Sequence, residues 1–495
     1  MRNQNRTPKN KRRTKYNTDL CEDKMTFEEC ELAVLRHAVD ETEKLQGGKM
    51  ANTKEIKDIL VIVENFIKHK KLICYGGTAI NNILPKHAQF YNKDIEIPDY
   101  DFYSNDAITH AKELADIYAK AGYVEVEAKA GVHMGTFKVF VNFIPIADIT
   151  QMHPSIFKII SKQVVTVAGI RYAPPDFLRM GMFLELSRPA GDVSRWEKVM
   201  KRLTLLNKFY PLKVNWDCHS VDFQRKMESD TDDSARLHIT VRDAFIDEGV
   251  IFFGGYATSL YSRHMPEREK RLASRIPDFD VLSEDPERTA LIVAERLEQA
   301  GFKNVKTIKG EAIGETIPEH IEVRVGPETM AFIYKPIACH SYNVLMVENQ
   351  EIHIATIDTI LSFYLSFLFS DLPYNKERLL CMAKFLFDVE QKNRLAQKGL
   401  LKRFSIDCYG KQPTLEEMRA EKSEKFKELA NKKGTKEYDM WFMKYSPGKK
   451  SDGAKDETKK KKKNTEKSAD TKEKSMTGSQ KVRKTRANKP KLSFW

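Results

Sequence analysis

Apolar residues along the chain alternate between helical spacing and short continuous runs, and this alternation occurs twice. Ile56, Ile59, Leu60, Val63, Phe66 and Ile67 recur at three- and four-residue intervals and predict an amphipathic helix. Upstream, Thr26 to Glu29 reads as a capping box, opening a helix with Ala33, Val34, Leu35 and Ala38 on its apolar side and ending at Gly47-Gly48. A buried-type strand is expected at 72–75, followed by Gly76-Gly77, a short helix at 78–84 stopped by Pro85, and a strand at 99–103. A helix at 105–121 ends at Gly122, and strands follow near 123–128, 135–143 and 146–150. The stretch 172–210 reads as helical, in two pieces at 177–187 and 193–209. In the second piece, capped by Asp192, Trp196, Val199, Leu203 and Leu206 form one face and the basic residues lie largely off it.

A polar, acidic stretch at 226–234 reads as a boundary, and then the pattern returns. A helix at 236–248 leads to the apolar run 250–253, then to Gly254-Gly255. Asp278-Phe279-Asp280 stands 24 residues past Gly254, preceded by Ile276-Pro277; Asp99-Tyr100-Asp101 stands 23 past Gly76, preceded by Ile97-Pro98. Two copies in register imply an internal duplication with a period of about 180 residues. The echo of Pro145-Ile146-Ala147-Asp148 in Pro336-Ile337-Ala338-Cys339 places Cys339 opposite Asp148, at the cost of a loop insertion of about 12 residues. Setting 194–207 beside 375–388 puts Leu379, Met382 and Ala383 opposite Lys198, Lys201 and Arg202. The second copy has thus lost a carboxylate and its cations and reads as degenerate.

Charge changes the picture at the ends. The 495 residues carry a formal charge of +13, of which about +11 falls in 447–495 and about +6 in the first 20 residues, leaving the middle near neutral. Basic arms on a neutral body suit a polyanion such as nucleic acid, or serve only as a solubilising or import tail. No secretory leader or convincing membrane span is read; 352–369 is apolar but carries His353 and Asp358 and suits a buried helix. Seven cysteines without CxxC or regular spacing argue for a reducing compartment and against zinc or a disulfide framework. The expected organisation is α+β. A basic arm (1–20), a helix (21–50), a catalytic unit (51–225), a degenerate second unit (226–410), a helical segment (411–446) and a disordered Lys-rich tail (447–495) follow one another.

The first copy's chemistry is that of a metal-dependent phosphate site. Asp99 and Asp101, two apart on a strand, share a face. With Asp148 from a neighbouring strand they make three carboxylates that repel one another unless divalent cations sit among them. Mg²⁺ binds through a few carboxylates plus substrate phosphates, and two such ions about 3.5–4 Å apart can activate a hydroxyl and stabilise a leaving oxygen. Asp99 and Asp101 would bridge both ions, and Asp148 would hold the one that activates the attacking hydroxyl. Gly76 and Gly77 would let backbone N–H groups approach phosphates, and Thr78 would add a hydroxyl donor. Lys198, Arg195 and Arg202 are the candidate γ-phosphate cations. Alone, each feature has a plainer reading: a turn, a calcium loop, a cap, a solvated helix face. Their order along the chain favours nucleotidyl transfer, with RNA, tRNA, a small molecule or a protein as acceptor; a non-catalytic RNA-binding scaffold is the alternative.

YGGTAINNILP, PDYDFYS and APPDFLRMGMFLELSRPAGDVSRWEKVMKRL, with Asp148, resemble the poly(A) polymerase catalytic subunits of large cytoplasmic DNA viruses, of the mimivirus and African swine fever virus type. These fall in the DNA polymerase β-like nucleotidyltransferase superfamily, and the resemblance covers about residues 50–410. It implies two tandem palm-like domains, the second degenerate. It implies transfer of AMP from ATP to the 3′ end of mRNA without a template, with Mg²⁺ or Mn²⁺ on Asp99, Asp101 and Asp148. It also implies a homodimer or a separate processivity or cap-methyltransferase partner, no membrane, and a location in the host cytoplasm at the viral factory or in the virion.

Overall fold

The helix Lys54–Lys70 shows how the local pattern becomes architecture. Thr53 accepts from the Ile56 N–H at 3.3 Å and caps its start, and Lys71 closes it in the left-handed region at φ 54°. Ile56, Ile59, Val63, Phe66 and Ile67 are buried, as the spacing requires. In the computed structural model residues 15–16, 18–51, 53–92, 97–221, 223, 231–274, 279–347, 349–372 and 374–448 are described. Residues 1–14 of the basic arm, residues 449–495 of the tail, and the Ile276-Pro277-Asp278 part of the repeat lie outside them.

The chain is α+β, with two eight-stranded sheets. The strands are β1 (Ile73–Cys74), β2 (Tyr100–Ser104), β3 (Val126–Ala130), β4 (Thr136–Val141), β5 (Ile144–Gln151), β6 (Val165–Val167), β7 (Ile170–Tyr172), β8 (Ile251–Phe252), β9 (Phe279–Leu282), β10 (Val305–Gly310), β11 (His320–Val325), β12 (Glu328–Tyr334), β13 (His340–Val347), β14 (Gln350–Ala355), β15 (Cys408–Tyr409) and β16 (Lys444–Tyr445). The first sheet runs β16-β3-β4-β5-β2-β1-β7-β6 and the second β10-β11-β12-β9-β8-β14-β13-β15. Without β16 and β15 the two orders correspond strand for strand, and so do the directions: β2 and β5 are parallel like β9 and β12, β1 and β7 like β8 and β14, and the other pairs are antiparallel. The helices after β7 and β14, Pro175–Leu186 and Ile357–Leu368, pack on each other and join the halves. The chain after the second half returns to the first, where Lys444 and Tyr445 add a strand beside β3 and the Tyr445 hydroxyl donates to Asp116 at 2.6 Å.

Several expectations are corrected. The helix opened by the Thr26–Glu29 capping box, whose reciprocal bonds measure 2.8 and 3.2 Å, runs Phe27–Ala51 straight through Gly47-Gly48. Glycine weakens a helix without forbidding it. The hairpin β6–β7 was not anticipated; its three-residue strands are too short to show a period. The helix expected at 236–248 starts earlier, spanning Thr231–Asp247 across the end of the supposed boundary loop. Six of the seven cysteines are paired after all, as Cys21–Cys30, Cys218–Cys381 and Cys339–Cys408, with Cα atoms 5.2, 5.7 and 5.2 Å apart, within bonding geometry, and Cys74 is free. Two of these pairs span 163 and 69 residues, so only folding brings them together, and the spacing argument for a reducing compartment loses its basis. Among the described residues no helix is long and apolar enough to cross a membrane.

Candidate active site

β1 ends at Cys74, and the chain turns sharply into the helix Gly76–Ile83. The turn is pinned to β2 by the Tyr75 N–H, which donates to the Asp101 carbonyl at 2.9 Å. Gly76 has φ +69°, and a Cβ on it would lie 2.6 Å from Asp101 Oδ2. Glycine is required twice over, for the left-handed backbone and for the space the carboxylate fills. The Asp101 side chain therefore lies against the mouth of the turn.

Asp101 and Asp148 are direct partners in the parallel pairing of β2 and β5, so their side chains share one face of the sheet. Asp99 stands two residues before Asp101, just ahead of β2. Burial raises the pKa of Asp101 to about 7, with the charges of Asp99 and Asp148 adding to it. Asp99 has an open surface, yet its pKa is also raised, first by the protein packed around the carboxylate and then by Asp148. Lys138, opposite Asp148 in the β4–β5 pairing, donates to Asp148 Oδ2. Asp148 Oδ1 is buried with no hydrogen-bond partner among the described residues. Among these residues, as placed, no three His, Cys, Asp or Glu side chains close into a metal cage. The donor set still fits a divalent cation: hard oxygens, one buried and orphaned, neighbouring carboxylate charges that raise the pKa of Asp99 and Asp101, and a lysine supplying part of the missing positive charge.

The expected phosphate groups divide. Thr78 is buried, and its hydroxyl donates to the Asp99 carbonyl at 2.7 Å, so it anchors the approach to Asp99 and is not a spare donor. A Cβ on Gly77 would meet the Tyr91 hydroxyl at 2.6 Å and Arg202 Nη2 at 2.8 Å. Gly77 thus makes room for a guanidinium instead of baring its own backbone. Arg202 donates to the Tyr91 hydroxyl at 2.5 Å and lies over the rings of Phe90 and Tyr91. Arg195 pairs with Glu185 at 3.0 Å and is close enough to oppose the upward shift of Asp101. Lys198 is exposed and has no ion pair among the described residues. Arg195, Lys198 and Arg202 are spaced i, i+3, i+7 along the helix Trp196–Phe209 and its cap, and so follow one face. Beside the turn, a pocket of about 100 Å³ is lined by Thr78, Asn81, Asn82, Tyr91, Ile97, Pro98 and Asp99.

Lys138, Tyr91 and Glu185 were missed from the sequence. Lys138 had a signal, since it stands between the apolar Phe137 and Val139 on a strand whose alternation turns it to the carboxylate face. Tyr91 and Glu185 had none, because their partner Arg202 or Arg195 is distant or on another helix.

The second half has the frame without the chemistry. A Cβ on Gly254 would run into the Asp280 carboxylate, as at Gly76 and Asp101. The β9–β12 pairing puts Phe332 opposite Asp280, so Phe332, not Cys339, occupies the place of Asp148. Cys339 lies beyond β12, bonded to Cys408. The four-residue echo was fortuitous, and the insertion it demanded shrinks from 12 residues to 5, since Asp101 to Asp148 is 47 and Asp280 to Phe332 is 52. Phe332 stands among Tyr334, Tyr374 and His320. Leu379, Met382 and Ala383 are buried in the helix Lys376–Lys392.

Residues 61–192 match the family of the poly(A) polymerase catalytic subunit. A "putative poly(A) polymerase catalytic subunit" of African swine fever virus (strain Badajoz 1971 Vero-adapted) is 35% identical over 170 residues, 33% of this chain and 35% of that protein. Its counterpart in Acanthamoeba polyphaga mimivirus is 28% identical over 224 residues, 42% of this chain and 36% of that one. The match thus spans about a third of the length of these relatives. The crystal structure of the Megavirus polyadenylate synthase superposes with a TM-score of 0.69 at 20% identity, covering 87% of this chain and 88% of its own, a likeness of fold. The resemblance read from the motifs is therefore shown, and every relative named is a viral protein.

Proposed function

We propose that this protein is a template-independent poly(A) polymerase that adds AMP from ATP to the 3′ end of mRNA. The observation that carries the reading is the pairing of Asp101 with Asp148 beside Gly76, present in the first half and replaced by Phe332 in the second. The halves are read as tandem nucleotidyltransferase-like domains, the first catalytic and the second retained for packing. Mg²⁺ or Mn²⁺ held by Asp99, Asp101 and Asp148 would neutralise triphosphate charge and sharpen the attacking hydroxyl. The chain's own groups do the rest. Gly76 lets the Asp101 carboxylate lie against the turn, and Thr78 holds the Asp99 backbone. Arg202, steadied by Tyr91 and Phe90, meets the β- and γ-phosphates together with Lys198 and Arg195. The RNA 3′-hydroxyl oxygen bonds to the α-phosphorus, the bond to the α–β bridging oxygen breaks, and pyrophosphate leaves. The hydroxyl proton passes to solvent water, and the orphaned Oδ1 of Asp148 is kept as a donor to the cation.

Primer extension of a short RNA with each of four nucleoside triphosphates tests this. Extension is expected with ATP preferred, and Asp99→Ala or Asp101→Ala is expected to abolish it while RNA binding persists. Undiminished tailing in the Asp99→Ala/Asp101→Ala double variant would overturn the assignment.

A further inference from the structure

A row of lysines leads away from the carboxylates. Cross-strand partners share a face of the sheet. Pairing sets Asp101 beside Asp148, Asp148 beside Lys138, Lys138 beside Lys129 and Lys129 beside Lys444, one residue on each of β2, β5, β4, β3 and β16. Alternation fixes which face this is: Ala128, Phe137 and Val139 turn to the helix-covered side and are fully buried. Tyr445 reaches Asp116 on that same covered side, so Lys444 faces the open one. The side chains of Lys138, Lys129 and Lys444 are 38%, 45% and 77% exposed, opening steadily toward the edge. At about 4.8 Å per strand, Lys444 stands roughly 14 Å from Asp148.

Like charges directly across strands destabilise a sheet, so this row carries a cost that folding alone does not explain. Glu127 offsets part of it, pairing with Lys129 at 3.1 Å and Lys444 at 3.7 Å. Phe140 lies on the same face with Lys129 Nζ 4.3 Å from its ring centre. The corresponding row of the second sheet reads Asp280, Phe332, Glu322, Ile308, with no lysine. The row therefore accompanies the complete carboxylate set. In sequence it ends three residues before the Lys-rich segment 447–495.

We infer that the open face of β4, β3 and β16 is the track that holds the single-stranded 3′ segment of the RNA, with phosphates on Lys129 and Lys444 and a base on Phe140. This deepens the polymerase reading and rests on it. Cations following a backbone beside an aromatic platform are what sequence-tolerant single-strand binding needs, and a path from the sheet edge to Asp148 delivers the 3′-hydroxyl where the chemistry is.

The test uses the full-length chain, a labelled oligoadenylate and a salt series, with primer extension alongside. K129Q/K444Q is expected to weaken RNA binding and raise the KM for RNA about 10-fold. It should also lower the slope of log Kd against log salt by about 1.4, at about 0.7 per lost phosphate contact, and leave the KM for ATP unchanged. E127Q frees both lysines and is expected to tighten RNA binding, a gain that misfolding cannot imitate. An unchanged affinity and slope in K129Q/K444Q, or weaker binding by E127Q, overturns the track. A wild-type protein that binds RNA through these lysines yet extends no primer refutes the polymerase reading instead.

Discussion

Gly76→Ala is the sharpest test of how backbone and chemistry are joined here. An L-residue at φ +69° costs about 1–2 kcal/mol. The new methyl would also stand 2.6 Å from Asp101 Oδ2, where ordinary contact begins at 3.4 Å. The carboxylate must then move by about 0.8 Å, because the turn itself is tied to β2 through Tyr75. A displacement near 1 Å at a reacting centre costs on the order of 100-fold in rate, about 2.7 kcal/mol of barrier. The expected result is a stability loss of about 1–3 kcal/mol in urea unfolding, a single-turnover extension rate down about 100-fold, and RNA affinity unchanged. Gly254→Ala is the internal control. Its φ of −86° carries no left-handed strain, and its clash is with Asp280, which stands opposite Phe332 on the next strand. It should cost stability alone. A Gly76→Ala enzyme within about 3-fold of wild type, or a Gly254→Ala enzyme equally slow, would refute the reasoning.

Two predictions concern stability. His340 is fully buried and without hydrogen-bond partners among the described residues; burial, then Arg188, lowers its pKa to about 3. A depressed pKa means the imidazole folds neutral, so its contribution is complete above the unfolded value near 6.5 and is lost as pH falls toward 3; between pH 7.5 and 5 the loss is about 2 kcal/mol. His340→Leu should flatten that part of the stability–pH curve in urea titrations, and a curve parallel to wild type would contradict the linkage. Arg403 bridges buried Asp358 at 2.7 Å and Glu390 at 3.1 Å, so Arg403→Met, which strands two buried carboxylates, should cost about 3–5 kcal/mol by chemical denaturation. A loss below about 1 kcal/mol would mean that water reaches the pair.

Local information sufficed for whatever depends on neighbours in the chain. The helix Lys54–Lys70, the capping box at Thr26, the glycine turns and the strand carrying Asp101 are all legible because side-chain direction follows a fixed period along the backbone. The duplication is legible for the same reason: both copies repeat the same local text, and the sheets that text builds share strand order and direction. Asp99, Asp101 and Asp148 could be named as one set from their order. Only the pairing of β2 with β5 made Asp101 and Asp148 neighbours, and only the pairing of β9 with β12 put Phe332 where a sequence echo had pointed to Cys339. The two long-range disulfides, the hold of Tyr91 on Arg202 and the lysine row across β4, β3 and β16 belong to the same class. Periodicity states which face a residue occupies, but the partner across the strand is chosen by chain closure over tens to hundreds of residues, and nothing in a local window records that choice.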